Sequence, residues 1–168
     1  QAKQQKKSSV DFLKKLVSDN LPQMQETFMM GLLTKPGNDT ANLEKQLRFL
    51  QIRCPGPYYA VAILAVRKFP EDTEEDVGLF LLRDTLTTAM AESGFETLVL
   101  MDAHARLNCI VSTSESNPDD QIETVITKVE EQLRFLTGME LVSGIGPTVN
   151  SLARLYESRA GALTGINY

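Results

Sequence analysis

The stretch that decides the fold is YYAVAILAV at residues 58–66, directly after Pro57. It is a continuous apolar run that contains β-branched side chains, and it is short. Short apolar runs with a Pro/Gly boundary favour a strand buried inside a sheet over a helix. The stretch therefore predicts a central strand, and the neighbouring elements can be placed around it.

The chain after this strand changes between helical and strand periods. Apolar residues at helical spacing predict a helix over residues 76–92, which Gly94 ends. Two strands are predicted at residues 97–101 and 107–111. Because only a short segment separates the two strands, they are expected to form a hairpin.

The clearest helical pattern lies between Asn117 and Gly138. Asn117 is expected to cap this helix, Pro118 to be its first residue and Gly138 to end it. Its apolar positions recur along one helical face: Ile122, Val125, Ile126, Val129, Leu133 and Leu136. A fourth strand is predicted at residues 139–145.

A last helix is expected after Asn150 or Ser151, either of which can cap it. The order after residue 57 is then strand, helix, strand, strand, helix, strand, helix. This is the split βαβ, or ferredoxin-like, order with one extra C-terminal helix. We therefore expect an α+β fold with a four-stranded antiparallel sheet and helices on one face. The first strand should lie in the middle of the sheet, beside the third.

The N-terminal part is predicted to be helical. Residues 9–33 are expected to form two helices, because Pro22 interrupts the apolar pattern. Thr40 is expected to cap a third helix. An apolar stripe in the first helix either forms a dimer seam or packs on its own domain, and it consists of Phe12, Leu13, Leu16 and Val17.

We divide the chain into an N-terminal helical segment or linker, residues 1–56, and an α+β domain, residues 57–168. The polar start and the uncapped end suit a segment of a longer protein as well as they suit ordinary frayed termini.

Composition excludes several classes of function. The 168 residues include one His and two Cys, so neither a His-rich nor a Cys-based metal site is expected, and no disulfide framework. No apolar segment approaches the ~20 residues that span a bilayer. The net charge of −5 argues against direct contact with nucleic acid. We expect no metal, no cofactor and no membrane contact.

Gly144 and Gly146 lie where the fourth strand ends, before the last helix. A phosphate-binding loop would need a third glycine and a helix directly after it, but Pro147 and Thr148 intervene. We therefore expect the two glycines to allow close packing at a strand end. Cys109 is expected to be a small buried apolar side chain.

The region from residue 141 onward resembles a known family. Its LVSGIG strand is followed by a matching pattern of positions: Gly144, Ile145, Gly146, Val149, Ser151, Leu152, Leu155, Ser158, Ala160, Ala162 and Leu163. With the βαββαβ order, this resembles the degenerate GGDEF, or nucleotidyl-cyclase-like, central domain of AraC-type two-component response regulators. The resemblance covers roughly residues 10–168.

This resemblance implies a regulatory domain of a cytoplasmic bacterial transcription factor. Its partners would be the receiver and the helix-turn-helix domains of the same full-length chain, and a homodimer is possible. The N-terminal helices would carry a signal in, and the last helix would carry it out to the DNA-binding domain.

The resemblance also bears on catalysis. Active relatives place a metal-binding carboxylate after the first strand and the GGDEF turn between the second and third strands, because two-metal phosphoryl chemistry needs those carboxylates. Here Arg67 and Lys68 follow the first strand, and the hairpin reads DAHAR at residues 102–106. We expect no catalytic residues and no cyclase activity. In the remaining alternative, Asp102 holds a metal together with Glu71 or Asp72.

A second interpretation is a small-molecule or nucleotide sensor that uses the former catalytic face without turnover. The residues that would line this face are Arg67, Lys68, Asp102, His104 and Arg106. His104 could respond to pH because histidine titrates near neutrality, but a solvated turn residue is the simpler interpretation.

Overall fold

The computed structural model describes residues 2–36 and 39–166, with side chains from residue 8 onward. Its elements, in chain order, are α1 (Ala2–Thr34), α2 (Thr40–Phe49), β1 (Tyr58–Lys68), α3 (Glu75–Glu92), β2 (Glu96–Met101), β3 (Leu107–Thr113), α4 (Asp119–Thr137), β4 (Glu140–Ile145), a 3₁₀ helix (Leu152–Arg154) and α5 (Leu155–Gly165).

The four strands form one antiparallel sheet in the order β2-β3-β1-β4. β1 lies between β3 and β4, and its residues Val61, Ile63 and Leu64 are fully buried. The predicted α+β fold, the hairpin of β2 and β3, and the central position of the first strand are therefore confirmed.

Helices cover both faces of the sheet, so the expectation of helices on one face is wrong. Ala62 and Leu64 of β1 pack with α3 and α4 in one core cluster. Val61 and Ile63, which point the opposite way, pack with α1, α2 and α5 in a second cluster. A strand that is apolar on both sides needs a covering layer on each side, and the N-terminal helices with α5 supply the second.

The first predicted pair of helices is one continuous helix, α1, with Pro22 inside it. The expected break is absent because Ser18, whose carbonyl loses its hydrogen-bond partner to the proline, is exposed and can be hydrated. The C-terminal part of α1 is held on the sheet by the buried side chains of Met29, Leu32 and Leu33. The division of the chain at residue 56 remains a prediction.

Two helix starts differ from the predictions by one residue each. The carboxylate of Asp39, not Thr40, caps α2 by accepting a hydrogen bond from Ala41 N at 3.3 Å. At α4, Pro118 is the N-cap residue and the helix begins at Asp119, so Asn117 is not the cap.

Two other predicted boundaries are confirmed. Gly138 ends α4 in the left-handed conformation, with φ 78°, which glycine adopts at little cost. Ser151, one of the two predicted caps, accepts a hydrogen bond from Ala153 N at 3.1 Å and starts the 3₁₀ helix that leads into α5.

Gly144 near the end of β4 and Gly146 directly after it allow α5 to approach the sheet, as predicted. A Cβ at Gly144 would collide with the carbonyl oxygen of Ala162, and one at Gly146 would collide with that of Ser158. The close approach lets Ser158 Oγ accept a hydrogen bond from Val61 N at 2.8 Å. The hydroxyl thus satisfies a backbone donor at the point where β4 ends and no longer pairs with β1.

Candidate functional site

The predicted site residues lie at one end of the sheet. Leu64 of β1 pairs with Leu107 of β3, so the end of β1 and the turn from β2 to β3 lie at the same edge. Arg67 and Lys68 are exposed at the end of β1, beside an irregularity in its pairing with β4. His104 is exposed on the turn, as expected for a solvated turn residue.

Asp102 builds the turn between β2 and β3. Its Oδ1 accepts hydrogen bonds from the backbone N–H of His104 at 2.8 Å and from that of Arg106 at 3.2 Å. The turn also contains Ala105 with φ 57°, a conformation that non-glycine residues adopt rarely. The Asp102 carboxylate therefore stabilises a tight turn in which Ala105 adopts an unfavourable backbone conformation.

The other carboxylate oxygen of Asp102 joins a network that reaches helix α5. Oδ2 accepts hydrogen bonds from Arg106 Nε at 2.9 Å, from Asn108 Nδ2 at 3.2 Å and from the Arg159 guanidinium at 3.3 Å. Arg159 Nε also donates to Asn108 Oδ1 at 2.8 Å. The network is thus fully connected, and it joins a sheet turn to a helix.

The network is shielded from solvent. The Asp102 side chain is 5 % exposed, Arg106 is 17 % and Arg159 is 14 % exposed, and Asn108 is fully buried. Charges that are shielded from solvent are screened less than surface charges. The loss of any hydrogen-bond partner in this network should therefore lower the stability of the fold.

The Asp102 carboxyl is held in its ionised form. Burial alone would raise its pKa, but hydrogen bonds from the Asn108 amide and the Arg106 backbone outweigh that effect. The His104 backbone N–H and the Arg106 guanidinium lower the pKa further. The pKa of Asp102 consequently lies below its usual value.

Sequence reasoning identified Asp102 and Arg106 but missed Asn108 and Arg159. The structure brings Arg159 to Asn108 across a large separation along the chain, and neither spacing nor periodicity reports such a contact. A weaker signal was present, since Asn108 is polar within an apolar strand and Arg159 lies on the apolar face of the last helix.

The residues at this end of the sheet do not fit a divalent cation. Both oxygens of Asp102 already accept hydrogen bonds, and the positively charged guanidinium groups of Arg106 and Arg159 would repel a metal ion. Glu71 and Asp72 are exposed, and no group of three or more His, Cys, Asp or Glu within the described residues is arranged to hold a metal.

A cavity of about 860 Å³ lies elsewhere, along the outer edge of β2. None of the five residues predicted for the sensing face lines it. The sensing function of those residues stays a prediction.

The chain matches a known protein family over most of its length. Residues 35–168 match the family described as GGDEF-like domain. The chain belongs to this family. The match confirms the GGDEF-like part of the resemblance, and the buried Asp102 network lies inside the matched region.

Solved structures and curated proteins give two further findings. The chain resembles the crystal structure of the diguanylate cyclase SiaD of Pseudomonas aeruginosa in complex with its activator SiaC, with a TM-score of 0.42 and 16 % identity, over 97 % of this chain and 71 % of that one. No curated protein matches the sequence significantly. Across the described residues, we find no helix with the length and hydropathy of a membrane span.

Proposed function

We propose that this GGDEF-like domain is a non-catalytic regulatory domain of a cytoplasmic AraC-type response regulator. In that setting it relays a signal from a receiver domain to a helix-turn-helix domain and does not itself contact DNA. The proposal that the domain is non-catalytic rests on the hydrogen bonds of the Asp102 carboxylate. Asp102 is the acidic residue of the β2–β3 turn, where the GGDEF motif would lie.

Asp102 serves the fold and is not available for chemistry. It accepts five hydrogen bonds, two from backbone N–H groups and three from side chains. A metal-binding or catalytic carboxylate would have to leave these five partners while its side chain is only 5 % exposed, which is strongly unfavourable.

The end of β1 supports the same conclusion. Two-metal phosphoryl transfer needs carboxylates that hold the cations and neutralise developing charge. Arg67 and Lys68 occupy the corresponding positions, and both carry the wrong charge for this task. Incubation with GTP or ATP and a divalent cation tests the proposal, and we expect no cyclic product.

The packing of the helices suits a mechanical relay. α1 and α5 lie on the same face of the sheet and contact each other. Ser158 and Arg159 fix α5 to β1 and to the β2–β3 turn. A displacement of α1 would therefore act directly on α5, and α5 is in turn coupled to the sheet.

The N-terminal half of α1 supplies a surface for a second copy of the chain. Phe12, Leu13 and Leu16 are 65 %, 56 % and 48 % exposed and only Val17 of the stripe is half-buried, so most of the stripe is not covered by its own domain. At 1.5 Å per residue the 33-residue helix is about 50 Å long, enough to extend beyond the core. We propose that two such helices pair in a homodimer, which would bury the stripe.

The AraC-type setting rests on the resemblance in the region of residues 144–163. The sequence on either side of this segment in the full-length protein tests it. A receiver before the segment and a helix-turn-helix after it would support the proposal, and the absence of a helix-turn-helix would contradict it.

A further inference from the structure

We propose that the free edge of β2 binds an extended peptide with an acidic side chain, which adds a fifth strand to the sheet. β2 is an edge strand of the sheet, and among the described residues only β3 pairs with it. The cavity of about 860 Å³ runs along its outer side. A groove beside an unpaired strand is the arrangement that binds extended peptides by strand addition.

The pairing of β2 shows which backbone groups face the groove. In an antiparallel strand, alternate residues direct both backbone groups to the same side. The Val99 carbonyl accepts a hydrogen bond from Arg83 of α3 at 2.9 Å, so Val99 faces away from β3. Thr97, two residues earlier, has the same direction.

These outward groups form a ready template for another strand. Within residues 2–36 and 39–166, the N–H and C=O of Thr97 and the N–H of Val99 make no hydrogen bond. An extended peptide backbone presents donors and acceptors at the same two-residue repeat. Hydrogen bonding thus selects an extended backbone as the occupant.

The groove has the shape of a slot for one strand. Met29 of α1 and Ile52 after α2 line one wall, and Thr87 and Ala91 of α3 line the other. Residues 96–100 of β2 form the floor. The side chains of an inserted strand would point alternately toward the two walls, since successive side chains of a strand face opposite sides.

Charge favours an acidic side chain on the α3 wall of the groove, where Arg83 lies, whereas Glu26 of α1 lies on the opposite wall. Among the described residues Arg83 has no carboxylate within salt-bridge distance, and its recorded hydrogen bond goes to the neutral Val99 carbonyl. A carbonyl has two lone pairs, so this bond can persist while another N–H of Arg83 binds a carboxylate. Arg53, at the other end of the groove, is already paired with Glu96.

A second copy of β2 is a poorer occupant. Its own edge is flanked by the same two walls, so approach to the ~4.8 Å spacing of paired strands would bring wall against wall. A separate extended segment has no such walls and can enter the slot.

The test uses the full chain and a defined probe, an acetylated, fluorescently labelled hexapeptide of alternating threonine and valine with one central glutamate. Fluorescence anisotropy measures binding, and NMR hydrogen exchange locates it. We expect saturable binding and protection of the Thr97 and Val99 amides. Methylation of alternate peptide nitrogens should abolish binding. Replacement of the glutamate by glutamine should weaken it roughly three- to tenfold.

Two variants separate the backbone contribution from the charge. Thr97→Pro removes the outward N–H and leaves pairing with β3 intact, so it should weaken binding roughly tenfold, whereas Thr97→Val keeps the N–H and should bind nearly normally. Arg83→Glu should reverse the preference, so that a peptide with a central lysine binds better than the glutamate peptide.

Several results would overturn the proposal. They are the absence of saturable binding to the unaltered chain, normal binding by a folded Thr97→Pro variant, and protection located away from β2. Protection of the Thr97 and Val99 amides that rises with protein concentration in the absence of peptide would show pairing of two copies instead.

Discussion

The guanidinium of Arg159 in α5 lies 3.3 Å from the carboxylate of Asp102 in the β2–β3 turn. The two residues are distant in the sequence, yet their contact joins the last helix to the turn where active relatives carry their catalytic motif. The same carboxylate that closes the turn thereby also positions the helix. The contact therefore links the β2–β3 turn to α5, which Ser158 and buried apolar side chains also hold on the sheet.

Removal of Arg159 should destabilise the domain. In Arg159→Ala, Asn108 Oδ1 loses its recorded donor and Asp102 loses one of its two guanidinium partners. We expect the free energy of unfolding to fall by about 1–3 kcal/mol, as for other buried polar groups that lose a partner. Urea denaturation followed by circular dichroism measures the change.

The matched control is Arg154→Ala, which removes an arginine from an exposed pair with Glu157 next to the same helix. Exposed pairs contribute little, so its unfolding midpoint should stay near that of the parent chain. Equal effects of the two substitutions would contradict the role assigned to Asp102 and Arg159.

Asp102 should make stability depend on acid pH. Its pKa is lowered by folding, so it stabilises the folded state above its unfolded pKa of ~3.9, and this contribution is lost as pH falls through the lower folded value. In Asp102→Asn the contribution is absent at every pH. The difference in unfolding free energy between the two proteins should therefore narrow between about pH 6 and pH 3.

The measurement is urea denaturation of both proteins across this pH range at constant ionic strength. If this difference stays constant or widens toward acid pH, the ionised carboxylate of Asp102 does not stabilise the folded state through this network.

Gly146 should tolerate no side chain. In Gly146→Ala the new methyl group would meet the Ser158 carbonyl oxygen, which is backbone and cannot turn away. We expect a loss of stability of about 1–3 kcal/mol from overpacking, together with displacement of α5. Thermal unfolding reports the first effect, and NMR shifts of the Val61 amide, which bonds to Ser158, report the second.

Gly31→Ala provides the matched control. A Cβ at Gly31 meets no other atom within 4 Å, and the residue lies inside α1, so this substitution should stabilise the chain by roughly 0.5–1 kcal/mol. If Gly146→Ala were as harmless, the close approach of α5 would not be what the glycine is needed for.

The exposed stripe of α1 should control self-association. We expect the chain to be a dimer at micromolar concentration in light scattering, and Leu13→Asp with Leu16→Asp to make it a monomer, because charges do not tolerate burial in a helix seam. Phe135→Asp is the control, since Phe135 is 89 % exposed on α4 and lies outside the proposed seam. A monomeric parent chain, or a dimer that only Phe135→Asp disrupts, would contradict the proposed interface.

Much of the fold could be predicted because its signals are local. The apolar run at residues 58–66 forms a strand that is buried on both faces. Both the strand and its burial follow from one short stretch of side chains. Two buried faces require two helical layers, whereas the sequence pattern predicts helices on one face only. The break expected at Pro22 did not occur, because a single lost hydrogen bond on an exposed side of a helix is outweighed by packing elsewhere along it.

The site was harder to predict because one decisive partner, Arg159, is distant in the sequence. The absence of a GGDEF turn was visible in the sequence, but the use that the chain makes of Asp102 was not. That use depends on Asn108 in a neighbouring strand and on Arg159 in a later helix, which only the sheet register and the packing of α5 bring together.

The central claim is that this GGDEF-like domain does not catalyse cyclisation, and a nucleotide-turnover assay tests it most directly. The purified chain is incubated with GTP and with ATP, each with Mg²⁺ and with Mn²⁺, and the products are separated by mass spectrometry. We predict that no cyclic nucleotide forms, either with the parent chain or with Asp102→Ala. Cyclic product from the parent chain, at a rate that Asp102→Ala abolishes, would contradict the proposal.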